Sequence, residues 1–289
     1  RAKDERHEHL LLPVNGNLDD LIQLAQTQRV DDIIIALPHA VKARILSIAE
    51  RLAVLPINVK LSPDEIGFSF SNNTIEIVGG IPTQIIHTPP ISNWARVAKA
   101  LEDRILAITF LALTLPLFGL IALAIKLNSK GPVFFKQQRH GFNHDIINIY
   151  KFRSMTVRED GESVKQATKS DQRVTKVGFW LRRTSLDELP QLINVALGEM
   201  SLVGPRPHAL AHNEEYSALI EHYAQRHKVK PGITGWAQIN GYRGETTEPG
   251  LMEKRVQHDL YYIEHWSIWL DLKIIALTPF KGLVHPNAY

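Results

Sequence analysis

Apolar residues in the first third of the chain switch repeatedly between two periods. Leu18 to Gln28 carries them at helical spacing, as does Ala40 to Val54, while Asp31 to Leu37 (DDIIIAL), Ile57 to Leu61 and Ile75 to Val78 read as strands. LLLPVNG (10–16) reads as a further short strand and turn. The unbroken Ile run predicts burial on both faces of a parallel sheet. This alternation predicts an α/β domain over residues 1–90, half of a doubly wound, Rossmann-like fold. A dinucleotide site would need a Gly-rich loop after a strand. The residues after Ile35 are Ala-Leu-Pro-His and no Gly-x-Gly-x-x-Gly occurs there, so the domain reads as a scaffold or regulatory unit.

A different pattern follows. Ile105 to Ile125 is a run of 21 residues without a charge, the length a membrane helix needs. Buried helices of globular proteins are seldom apolar all round for six turns. Pro116 sits at the middle, with Gly119 three residues on, as a natural break. Arg96, Lys99 and Arg104 precede the run and Lys126 and Lys130 follow it, so flanking charge gives no direction of insertion. Residues 91–130 therefore read as a re-entrant hairpin bent at Pro116, entering and leaving on the cytoplasmic side. Thr114 or its neighbours would take up the backbone groups freed at the kink.

Residues 131–289 read as a mainly helical α+β domain. Val133 to Phe135 is a short strand, Lys136 to Gly141 a polar loop, and IINIYKFRSM (146–155) a strand that places Lys151 and Arg153 on one face. Val157 to Gln172 is charged and without period, as expected of a mobile loop. LRRTSLDELPQLINVALGEMSLVGPRP (181–207) then gathers adjacent acids, flanking arginines and a Gly-Pro-Arg-Pro turn. Asp187 and Glu188 suit a nucleophile and an oxygen ligand for Mg²⁺, and Arg182, Arg183 and Arg206 can hold phosphate oxygens bidentately. Ser185-x-x-Glu188 matches a capping box, but Pro190 would then fall deep in the helix. Asp187 as the cap puts Pro190 in the first turn, which predicts an exposed Asp187 kept ionised by the helix dipole.

Composition narrows the classes. Thirty-three basic against 30 acidic residues give a net +3 with no long basic tract, which excludes nucleic acid as the natural partner. Zero cysteines exclude disulfides and thiol chemistry, and the 13 histidines show no metal-ligand spacing. In KPGITGWAQINGYRGET (230–246) glycines and Pro231 shape a tight loop presenting Gln238, Asn240 and Arg243. Tyr261, Tyr262, Trp266 and Trp269 suit either a headgroup-layer helix or a core helix.

KFRSM (151–155), LRRTSLDELPQ (181–191), MSLVGPRPH (200–208), HKVKPGITGWAQINGYRGET (227–246) and the Asn-Ala-Tyr end resemble, in order and content, the bacterial polyprenyl-phosphate phosphoglycosyl transferases of the large monotopic type. Within that family the chain is most similar to undecaprenyl-phosphate glucose phosphotransferases of the colanic-acid type. The resemblance implies a bacterial inner-membrane enzyme with its catalytic domain on the cytoplasmic face, working on a UDP-sugar and undecaprenyl phosphate for exopolysaccharide or capsule synthesis. It implies attack by Asp187 on the sugar-linked phosphate, release of UMP, and capture of the phosphosugar by the lipid phosphate, with Mg²⁺ on Glu188. Lys151, Arg153, Arg182 and Arg206 would contact substrate phosphates, Gln238 and Arg243 would line the substrate loop, and a homodimer is implied as well. UDP-glucose is the expected donor, with UDP-galactose the alternative. A glycosyltransferase releasing UDP and a non-catalytic assembly scaffold are the rival classes.

Overall fold

A computed structural model describes residues 15–62, 75–91, 93–156, 173–208, 216, 219–220, 222–243 and 249–282, and the chain divides into two units, residues 1–88 and 89–289. In the first unit, α1 (Leu18–Thr27) starts where the Asn17 side chain accepts from the Asp19 and Asp20 N–H groups and Asp20 bonds back to Asn17 N. Strands β1 (Asp32–Ile35) and β2 (Asn58–Leu61) pair in parallel, joined through α2 (Lys42–Leu52). The remaining strands, β3 (Ile75–Val78) and β4 (Ile81–His87), form an antiparallel hairpin. It turns at Gly79 and Gly80, whose φ values of 59° and 84° suit a residue without Cβ. The sheet order is β1-β2-β4-β3. The unit is thus α/β with one βαβ element, but its described sheet is mixed where a parallel, doubly wound one was expected.

The Ile run is also less buried than its composition predicts. Ile33 and Ile35 are buried, while Ile34 between them is 41% exposed, because successive strand side chains point to opposite faces. Lys60 is buried on β2 and neutralised by Asp32 at 2.8 Å and Glu76 at 2.9 Å. The strand expected within LLLPVNG (10–16) falls mostly outside the described residues.

The second unit opens with α3 (Asn93–Asn128). The hairpin of β5 (Phe134–His140) and β6 (Ile146–Phe152) follows, with Phe134 opposite Phe152 and His140 opposite Ile146. Lys136 to His140, expected as a loop, are strand because each residue pairs across the hairpin. After it come α4 (Lys176–Arg183), a tight 3-10 turn (Leu186–Glu188), α5 (Gln191–Leu197) and β7 (Ser201–Val203). A second 3-10 segment (Tyr223–Lys228), β8 (Gly232–Thr234), α6 (Trp236–Ile239), α7 (Pro249–Glu264) and α8 (Ile268–Leu277) complete the unit. The stretch Val157 to Gln172 lies outside the described residues.

Helix α3 runs unbroken through Pro116, about 54 Å of rise over 36 residues, where a hairpin of two pieces was expected. The Thr114 hydroxyl donates to Phe110 O at 2.6 Å, not to the Ala112 carbonyl that Pro116 leaves without its helical donor. One side of α3 faces the protein along most of its length. Ala107 belongs to the main core with Val195, Met200, Leu202 and Tyr262, and Ile121 and Ile125 pack with Phe152 and Leu181. The opposite side shows Leu101, Ile105, Ile108, Leu115, Leu123 and Leu127, each more than half exposed. In its most apolar stretch α3 is only 11% buried, so it is no core helix, and among the described residues it alone is long and apolar enough to cross a membrane. Lys99, expected as a flanking surface charge, is instead buried between Asp103 at 3.0 Å and Asp271 at 2.7 Å.

Backbone contact at glycine fixes α4 against the strand hairpin. A Cβ on Gly178 would lie 1.9 Å from Ser154 O, whereas one on Gly119 of α3 would meet nothing within 4 Å. Gly178→Ala should therefore cost roughly 1–3 kcal/mol, whereas Gly119→Ala, in a helix interior with room for the methyl, should stabilise by up to about 1 kcal/mol, a contrast that unfolding of the detergent-solubilised chain would measure.

Candidate functional site

Four segments converge on one buried carboxylate. Glu188, on the 3-10 turn, accepts from Lys151 Nζ of β6 at 2.8 Å. It also accepts a fork from Arg206, just after β7, with Nη2 to Oε1 at 2.6 Å and Nη1 to Oε2 at 3.0 Å. Arg243, following α6, brings Nη2 to 4.0 Å from Oε2 and donates its hydrogen bond to Ser185 Oγ. Burial alone would push the Glu188 carboxyl up, but Arg206, Lys151 and Arg243 outweigh it and hold the group well below the usual carboxylate range.

Asp187 beside it is in the opposite condition. Burial, then the Glu188 charge, raise its carboxyl to about 6, against the pull of Lys151, Arg182 and Arg206. Among the described residues its carboxylate takes no hydrogen bond, while that of Glu188 takes three. Asp187 is not the helix cap the sequence suggested. It is half-buried inside the 3-10 turn, and α5 starts only at Gln191, after Pro190. Ser185 enters that turn at φ 57°, a left-handed conformation incompatible with the extended geometry of a capping serine.

Glycines bring Arg206 into place. Gly204 N donates to Thr234 O and Gly232 N to Pro205 O, so the Gly-Pro-Arg-Pro turn and the Gly-Ile-Thr-Gly strand lie backbone against backbone. A Cβ on Gly232 would come within 2.1 Å of Gly204 N, and one on Gly235 within 2.4 Å of Gly204 O. Behind the turn, Arg226 donates to Arg206 O at 2.8 Å and pairs with Asp259 at 2.8 Å, both partners being almost wholly buried.

Asp187, Glu188, Lys151, Arg182, Arg206 and Arg243 are thus brought together. Arg153 is turned elsewhere, contrary to the shared face expected with Lys151. Its guanidinium donates to Lys130 O, Ser129 O and Ser129 Oγ at 2.7–3.0 Å, closing the C-terminal end of α3. Gln238 is buried and donates to Ile233 O within its own loop. Pro116 lies within α3 and is not among the residues that bond to the acidic turn. Arg139 of β5 was not expected. Burial and the charge of Arg206 lower its pKa to about 10, partly offset by Glu188, so it is a cation of the same cluster. Reading Lys136 to His140 as a strand would have put it opposite Ile147 and inside the hairpin.

The donor set was tested for Mg²⁺. No group of three His, Cys, Asp or Glu side chains stands together among the described residues, so these residues form no cage for a metal. The three bonds to Glu188 use three of a carboxylate's roughly four acceptor positions. A Mg²⁺ that keeps water and substrate phosphates as most of its ligands needs only one carboxylate oxygen, and that requirement fits.

With this geometry, the chain belongs to the bacterial sugar transferase family, whose model matches residues 94–285. A CoA-binding domain model matches residues 1–63. More particularly, the chain is 51% identical, over 95% of its length, to the UDP-glucose:undecaprenyl-phosphate glucose-1-phosphate transferase of Escherichia coli K12. It is 49% identical over 96% and 95% of its length to proteins of the same name from Xanthomonas campestris and Klebsiella pneumoniae. It spans only 58–59% of the length of these three relatives.

The raised Asp187 pKa has a stability consequence. A folded state that binds the proton more tightly than the unfolded chain (ordinary value 3.8) is destabilised once the group ionises, so the penalty is absent below about pH 4 and complete above about pH 6. Asp187→Asn should be more stable than wild type by up to about 3 kcal/mol at pH 8, with the difference vanishing near pH 4. Denaturant unfolding at the two pH values would check the sign.

Proposed function

We propose that the protein transfers glucose 1-phosphate from UDP-glucose to undecaprenyl phosphate through a covalent aspartyl intermediate. The observation that carries this reading is the division between the two neighbouring acids: Glu188 saturated by cations, Asp187 free of hydrogen bonds among the described residues, with a carboxyl raised to about 6. The Asp187 carboxylate attacks the sugar-linked phosphorus, the bond from that phosphorus to the bridging oxygen breaks, and UMP leaves. A phosphate oxygen of undecaprenyl phosphate then attacks the same phosphorus, restoring the carboxylate and giving undecaprenyl-diphosphate glucose. Lys151, Arg182, Arg206 and Arg139 supply fixed positive charge where phosphate charge is redistributed. Glu188 orients Lys151 and Arg206, and would hold Mg²⁺, which when bound neutralises diphosphate charge and favours UMP as leaving group. The names and 49–51% identity of the three relatives support glucose as the sugar and the lipid phosphate as acceptor.

The reading includes a membrane helix that lies in one face of the bilayer without crossing it. Asp103 near the start of α3 accepts from Ser201 Oγ and Leu202 N, and Asn128 at its end accepts from Val177 N. Both ends are therefore bound to one fold, which could not lie on two sides of a bilayer. The exposed apolar stripe would face lipid, with the site on the cytoplasmic face of the inner membrane. Residues 1–88 are assigned a scaffold or regulatory role, consistent with the missing phosphate loop after β1.

The test is nucleotide release by protein in nanodiscs with Mg²⁺, undecaprenyl phosphate and a panel of UDP-sugars. UMP should form with UDP-glucose and fall at least about 10³-fold in Asp187→Asn; release of UDP, or an unchanged variant, would sink the proposal. Because the nucleophile must be ionised, UMP formation should rise with pH through about 6 and then level off. Arg206→Ala should lower kcat/KM by about 10²-fold, read from initial rates at varied UDP-glucose.

A further inference from the structure

Between α3 and α4 runs an open groove of about 310 Å³, lined by Leu120, Ile121, Ala124, Val177, Trp180, Leu181, Thr184 and Leu186. Its lining is almost wholly apolar. The one hydroxyl, Thr184 Oγ1, donates to Trp180 O at 2.8 Å and Leu181 O at 3.2 Å, which leaves the indole N–H of Trp180 as the one side-chain donor among the lining residues. The groove nevertheless ends at the site. Leu186 precedes Asp187 in the 3-10 turn, and Arg182 on α4 lies close enough to act on the Asp187 carboxyl. Trp180 and Leu120, on opposite walls, are 62% and 66% exposed, and Leu120 belongs to the apolar helix that the reading above places in lipid.

We infer that this groove seats the first isoprene units of the polyprenyl phosphate acceptor and delivers its phosphate to Asp187. The inference rests on the transfer reaction proposed above. The ligand that fits it is apolar along the groove and anionic at its end, because the lining is apolar and Leu186 adjoins Asp187 in the chain, with Arg182 close to the Asp187 carboxyl. A prenyl phosphate has that form, whereas a phospholipid carries glycerol and ester oxygens between acyl chain and phosphate. Leu120, Ile121 and Ala124 span about one helical turn, roughly 6 Å, so only a short stretch of chain is held and the rest stays in the bilayer. Lipid tails are as apolar as leucine, so the groove adds little affinity over lipid. What it adds is orientation, holding the phosphate in line with the aspartyl phosphosugar.

The test uses the full chain in nanodiscs and separates the two half-reactions. UMP released in a single turnover from UDP-glucose without acceptor reports on Asp187 and on folding. Steady-state turnover with undecaprenyl phosphate or with neryl phosphate, whose first double bond is likewise Z, reports on the groove. Trp180→Ala, which removes a wall, and Ala124→Phe, which fills the floor, should leave the UMP burst and the KM for UDP-glucose unchanged and lower kcat/KM for undecaprenyl phosphate about tenfold. Both acceptors should suffer alike, since both present the same first units. An intact burst with unchanged acceptor kcat/KM overturns the inference, as does a loss matched by equal loss of binding to acceptor-free phospholipid vesicles. Absence of the burst in wild type would overturn the aspartyl mechanism itself and the groove assignment with it. Should a variant fold poorly, a prenyl phosphate with a diazirine in its first isoprene should label residues 120–124 or 177–186 of the wild-type chain; labelling confined elsewhere overturns the inference.

Discussion

The second unit is organised around the demand that the buried Glu188 charge be compensated. Leaving a buried charge without its partners costs several kcal/mol, of the order of 3–5. That demand draws Lys151 from the strand hairpin, Arg206 from the turn after β7 and Arg243 from the segment after α6 to one point. Segments far apart in sequence are thereby registered on a single pair of oxygens. Because the cations are committed to Glu188, Asp187 receives only their field and none of their hydrogen bonds. A pair of neighbouring acids so acquires opposite characters from one arrangement, with environment and not residue type setting each role.

Behind the charges lies backbone. The contacts between Gly204 and Gly232 and between Gly204 and Gly235 are too close for any side chain, so the two glycine-bearing motifs form one rigid block. Arg226 links that block to Asp259 of α7. Arg206 is therefore aimed by main-chain geometry and by a second buried ion pair, which fixes its guanidinium in advance.

How much of this was legible in the sequence differs by kind of feature. The apolar run of α3, the helical period of α1 and α2 and the clustering of Asp187, Glu188, Arg182 and Arg206 could be read directly, because each is carried by residues close in the chain. Arg153 could not be placed. Strand alternation puts it on the face of Lys151, but α3 ends beside it with carbonyls to satisfy, and that is a tertiary fact. Arg139 was hidden because Lys136 to His140 look like a polar loop until their hairpin partner is known. The position of Asp187 within a left-handed entry and 3-10 turn escaped notice because Ser-x-x-Glu is a good local helix start. Here the capping rule gave way to the needs of the site, where local propensity is most often overruled.

The way α3 is built in bears on how the protein could be handled. A hydrophobic anchor joined by a linker can be trimmed away to leave a soluble domain, but α3 is no appendage. Its inner face supplies Ala107 to the main core and Ile121 and Ile125 to the cluster under α4, and its ends hold β7 through Asp103 and α4 through Asn128. Cutting it off would remove a wall of the second unit and bare the apolar surface beneath. Water solubility would have to be engineered on the outer stripe alone, residue by residue, while the inner one is kept.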